Sequence, residues 1–188
     1  MISIEGALVE IVLRPDSSPT PYLFDQPGER AWNGGETLTF QAGGGSIPAF
    51  SGTVEAPSIA IIDAPMLVVN DPQSGLPLHT LTIDRSRDLV FTWNAASAAT
   101  MSVAFSSSAT DTMAPTATLS CEFDATAASG TIPAALLSMM PAGQGGVVAV
   151  GAINSSPVAV GDWTIALTAQ AGATAPDGSS FDVPVTFQ

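Results

Sequence analysis

A chain of 188 residues, 46% of them apolar and 11% charged, is long enough to bury a substantial core without disulfides or metals. Seventeen acidic residues against four arginines and no lysine give a formal charge of −13. That charge repels phosphate backbones and anionic lipid heads, and so excludes nucleic acid as a partner. The missing lysine also closes Schiff-base chemistry, phosphate-loop chemistry and lysine–asparagine isopeptide cross-linking.

The opening MISIEGALVEIVLRP has no basic segment followed by an apolar one, as a signal segment would. No later run approaches the roughly 20 apolar residues of a spanning helix, so no transmembrane segment is expected. Strands are expected at Ala7 to Leu13, Thr37 to Gln41 and Thr53 to Ile62, separated by PDSSPTP, NGG and AGGGS, whose residues supply the dihedrals of chain reversals. Tyr22 in TPYLFDQ and Trp32 in ERAWNGGE stand in these turn-rich, polar surroundings. They are the candidate ligand-binding residues, as a stacking platform for a sugar; the alternative is that they cap the end of the core.

A run rich in Pro, Asp and Gly from Asp63 to Pro77 marks the best candidate boundary. One reading takes 1–188 as a single β-sandwich unit, because 65 residues with few aromatics make a marginal core. The other divides the chain into an N-terminal β subdomain, 1–65, and an immunoglobulin-like sandwich, 78–188. His79, the sole histidine, stands in GLPLHTLTI at the start of a strand and is expected to be exposed; no G-x-S-x-G accompanies it, so a serine triad has no support.

Beyond it, alternation places Leu89, Phe91 and Trp93 on one face, and Met101, Val103 and Phe105 on another. Cys121 alternates with Leu119 and Phe123, which puts the thiol on an apolar face. Its nearest charged neighbours, Glu122 and Asp124, are carboxylates, whereas a reactive thiol needs a cation or a helix N-terminus. Thr131 is placed to cap a short crossover helix over Ile132 to Met140, with Ile132, Leu136 and Met140 on one face and Leu137 close by. WTIAL points Trp163, Ile165 and Leu167 inward, and FDVPVTF does the same for Phe181, Val183, Val185 and Phe187. Pro184 points outward and lacks an N–H, which suggests an edge strand.

No calcium-loop motif is present, so calcium, the one ion kept as an option, would have to be held by separate loops. Asp84 and Asp88 in DRSRD and Asp177 in PDG are the candidate ligands, with solvated loop charge as the alternative. No other cofactor is expected, and no catalytic residue is assigned.

The segments GETLTFQAGGGSIPAFSGTVEAP, IDRSRDLVFTWNA, LSCEFDATAASGTIPAALLSMMPAG and VAVGDWTIALTAQA resemble a group of bacterial exported, lipoprotein-like β-sandwich proteins of unknown function. The resemblance covers most of the chain and implies an extracytoplasmic address: cell surface, periplasm or secreted. The lipid-bearing cysteine of that group has no counterpart near the start of this sequence.

These readings combine into an all-β fold, an antiparallel immunoglobulin-like β-sandwich with one short crossover helix. The expected function is a non-catalytic binding or structural module, acting by protein–protein interaction, self-association or surface assembly through an exposed edge strand or sheet face. A carbohydrate-binding module, taking a polysaccharide through Trp32 and Tyr22, is the alternative. A hydrolase built on a carboxylate pair is the third reading.

Overall fold

The computed structural model describes residues 1–9, 11–13, 31–45, 47–70, 78–94, 97–107 and 117–188. It is mostly β-structure, in two sheets. The first sheet joins β1 (Ile2–Glu5), β2 (Ile11–Leu13), β3 (Thr37–Ala42) and β4 (Phe50–Glu55), in the order β2-β1-β3-β4, with every ladder antiparallel. The expected strand over Ala7 to Leu13 shrinks to β2, because the chain bends over residues 6–9. Thr53 to Ile62 is likewise two strands, not one: β4 stops at Glu55 and β5 starts at Ala60, with Pro57 in the gap, where no N–H is available for a ladder.

The second sheet begins with β5 (Ala60–Ala64) and β6 (Val68–Asn70), both inside or next to the run read as a boundary. It continues with β7 (Leu78–Ile83), β8 (Leu89–Trp93), β9 (Thr100–Ser107), β10 (Ala117–Asp124) and β11 (Ser129–Ile132). A helical turn, α1 (Ala134–Leu137), leads to β12 (Gly143–Val160), β13 (Trp163–Thr174) and β14 (Val183–Phe187). Two short parallel ladders, β13 with β5 and β14 with β7, join otherwise antiparallel strands.

β12 organises this sheet. Over eighteen residues it pairs with β9 along Gly146–Ile153, with β14 along Gly143–Val148 and with β13 along Gly151–Val160. Pro157, opposite Ala166 of β13, lies past the end of the β9 ladder at Ile153, so its missing N–H costs no bond to β9. β14 is not at an edge as its proline suggested, but between β12 and β7. The strand accommodates Pro184 because the parallel ladder to β7 starts one residue later, at Val185.

Inward residues of β8, β9, β12 and β14 share one core, in which Phe91, Met101, Val103, Phe105, Val148, Phe181, Val185 and Phe187 are buried. Phe91 meets Phe105 and Phe181 at ring-centroid distances of 6.4 and 6.2 Å, and Phe105 meets Phe187 edge-on at 5.9 Å. Trp93 is buried as expected and donates its Nε1–H to the Ala125 carbonyl at 2.8 Å. Cys121 has the expected neighbours, Leu119 and Phe123, but among the described residues β10 pairs only with β9, and all three are half-buried.

A second core lies between the first sheet and the β12–β13 hairpin, where Leu38, Val54 and Ala56 pack with Leu167 and Ala169. Gly52 of β4 permits this approach: a Cβ there would collide with the Val158 and Leu167 side chains. Asn154 ties the junction, donating from Nδ2 to the carbonyls of Glu55 and Ser97 and accepting the Ala99 N–H at Oδ1. Trp163 does not join this core and is 53% exposed. Its parity is that of Ile165 and Leu167, but it sits one step nearer the hairpin tip, past the last residues that pack against that row.

The helix departs most from expectation. Thr131 and Ile132 belong to β11, opposite Val90 and Leu89, so Thr131 caps nothing and only four residues are helical. The turn is instead held from both ends by the β7–β8 loop. Asp88 Oδ1 accepts the Ala134 N–H at 2.8 Å, while Arg85 donates to the Met140 and Ser138 carbonyls at 2.8 and 3.4 Å. An anion at the N-terminus and a cation at the C-terminus match the polarity of the turn.

Candidate functional site

Edges are where a sheet can still act on another molecule, because their backbone groups have no partner strand. β10 is a long edge, but its outward row carries Glu122 and Asp124, and charge on an edge discourages pairing. β6 differs. It ends the strand path beside β7, with Val68 opposite Thr80 and Val69 opposite His79. Val68 and Val69 are 52% and 54% exposed, and Met66, just before the strand, is 83% exposed. Successive strand residues point to opposite faces, so both faces of β6 leave an apolar side chain uncovered.

Behind this edge lies a groove of about 180 Å³, bounded by the β5–β6 link, the start of β7 and the β13–β14 turn. Its walls include Ile62, Pro65, Leu67 and Val69, and its lining includes two carboxylates, Asp63 and Asp177. His79 also lines it, with Nε2 at 3.2 Å from Asp177 Oδ2. The histidine expected to be exposed is thus mostly covered, at 17% side-chain exposure, because the turn carrying Asp177 folds across the start of β7. The same turn fixes the carboxylate: Asp177 Oδ1 accepts the hydroxyl and backbone N–H of Ser179 at 2.6 and 2.9 Å. Those bonds, Ser179 hydroxyl foremost, hold the Asp177 carboxyl below the usual carboxylate range, with a smaller contribution from His79.

The candidate calcium ligands do not converge. Asp84 and Asp88 lie beyond one end of β7 and Asp177 beside the other, about 16 Å of strand apart, against the 2.3–2.6 Å over which calcium is ligated. Asp84 Oδ1 accepts the Ser86 N–H and hydroxyl, and Asp88 holds the helical turn. Among the described residues, no three His, Cys, Asp or Glu side chains group as a metal site requires.

Trp32 is half-buried against the second core. It lines a shallow groove of about 300 Å³ with Pro57, Ile59 and Gln170. Its loop is fastened by Glu36, whose carboxylate accepts the N–H groups of Asn33 and Gly34. Tyr22 lies outside the described residues. The exposed aromatic that sequence reasoning missed is Trp163; its place at a hairpin tip, next to Gly161 and Asp162, was the available signal.

Burial pushes the Cys121 thiol up, as a small apolar side chain on an inward row requires. Among the described residues no helix is long and apolar enough to cross a membrane. Compared with protein-family models, with curated proteins and with solved structures, the chain has no match.

Proposed function

We propose that this chain is a non-catalytic protein-interaction module of a bacterial extracytoplasmic protein, with an immunoglobulin-like sandwich as its body and β6 as its docking edge. The observation that carries the docking reading is the cluster Met66, Val68 and Val69: three exposed apolar side chains on and beside a strand that, among the described residues, is paired on one side only. A partner's extended segment adds to such an edge through main-chain hydrogen bonds and covers the alternating side chains. Strand pairing supports the body: β8 with β11, β9 with β12, and β12 with β14 follow the B–E, C–F and F–G pairings of that fold. The address rests on the resemblance of the sequence to exported lipoprotein-like chains.

The test is a photo-reactive residue placed at Val68 and, separately, at Thr118 on the β10 edge, followed by irradiation of cells that make the protein. Cross-linking to a protein partner from position 68 and not from 118 is the expected result. No adduct at 68, or equal adducts at both, overturns the assignment. Solution mass then separates a second copy from a different protein.

A second reading, carbohydrate binding, is favoured by the Trp32 groove, whose volume reaches the lower end of ligand-sized sites. It requires oligosaccharide binding measured by calorimetry and abolished by Trp32→Ala; binding unchanged in that variant removes it.

A further inference from the structure

We infer that the groove beside β6 is a socket for one basic side chain, arginine or lysine, carried by the extended segment that docks there. This rests on the docking reading above and adds the partner's chemistry to it.

Size comes first. At about 180 Å³ the groove falls below the roughly 300–1,000 Å³ of sites that enclose a small molecule, so it fits a single side chain. Its composition narrows the choice. Ile62, Pro65, Leu67 and Val69 offer apolar contact to a methylene stem, while Asp63 and Asp177 offer carboxylates to a charged head. Arginine and lysine are the side chains built that way, with an apolar stem and a cationic tip.

Charge points the same way. Asp63 and Asp177 are exposed, and among the described residues His79 is the one basic side chain on the groove lining. Arg85 and Arg87 stand beyond the far end of β7, and the chain as a whole carries −13. A basic segment is steered toward such a surface and an acidic one is turned away.

Register places the residue. Val69 and His79 are opposite one another and both line the groove, so the groove opens on the Val69 face of β6. On an added strand, the residue opposite Val69 projects to that same face. That residue is the basic one, and its immediate neighbours face the Val68 side, where apolar groups fit.

The probe is the capped pentapeptide Thr-Val-Arg-Val-Thr, compared with versions carrying norleucine or glutamate at the centre. Each is titrated into isotope-labelled full-length protein and followed by amide shifts. The expected result is movement of residues 63–69 and 177–179, with affinity in the order arginine, norleucine, glutamate. Asp63→Asn with Asp177→Asn should weaken the arginine peptide roughly tenfold and leave norleucine unchanged; asparagine keeps an acceptor for Ser179, and an unchanged melt confirms folding. Equal binding of arginine and norleucine overturns the socket while the docking edge stands. Shifts scattered over the acidic surface, away from the groove, overturn it as well. If no peptide moves the β6 amides at millimolar concentration, the docking reading falls and the socket with it.

Discussion

Asp84, Asp124 and Asp177 perform one task at three places. Each is followed two positions later by Ser86, Thr126 or Ser179, and Oδ1 accepts both the backbone N–H and the hydroxyl of that residue. The bonds to the ionised form, hydroxyl first, lower all three carboxyls below their ordinary values. A carboxyl lowered by folding stabilises the fold above its unfolded value, about 3.9, and loses that contribution as pH falls through the lowered folded value. Melting temperature should therefore drop as pH falls below about 5, and the drop should be shallower with asparagine at 84, 124 and 177 together; parallel curves would refute the assignment. The D-x-[ST] spacing was legible in the sequence, and it names turn acceptors more directly than calcium ligands. Cys121 is predicted to label slowly with a thiol reagent at pH 8, and Cys121→Ala to cost about 1 kcal/mol in urea unfolding, at the low end of buried truncations. Labelling as fast as in unfolded chain would contradict its inward placement.

Among the elements, α1 shows how a local signal fails. Four residues cannot sustain a helix by themselves, and Pro133 provides no side-chain cap. The loop Asp84–Asp88 does it from outside, through Asp88 at one end and Arg85 at the other. Arg85→Ala should cost about 1–2 kcal/mol, since charged donors to carbonyls exceed neutral ones, with urea unfolding as the measurement and no change as the contrary result. Period-two alternation was reliable wherever another layer lay opposite: Phe91 and Trp93, Met101 to Phe105, and Phe181 to Phe187 are buried as the pattern required. It misled at Trp163, where the opposing layer ends, and the 3.6-residue pattern from Ile132 misled because the β8 ladder claimed Thr131 and Ile132. Pairing partners are set by distant residues, so the place of β14 inside the sheet and of β6 at its end could not be read locally. The groove shares that origin: His79 and Asp177 are 98 positions apart and meet through the fold.

At the scale of the whole molecule, the two cores are linked by one hairpin. Leu167 and Ala169 of β13 complete the core of the first sheet, while Ala173 of the same strand enters the main one. We expect one cooperative thermal transition for residues 1–188, and Gly52→Val should lower it as a whole, by about 1–3 kcal/mol of overpacking. Two resolved transitions, with only the first moved by the substitution, would instead favour separate subdomains.

β12 carries the same point into the time domain. Its stretches Gly146–Val148 and Gly151–Ile153 are bonded to β9 on one edge and to β14 or β13 on the other. Solvent reaches those amides only when neighbouring strands separate, so their hydrogen exchange should report the global opening of the molecule. The β6 amides, at the outer end of the same sheet, should exchange through local fraying long before that. The protein would then hold the proposed docking edge loose on a frame that opens only as a whole.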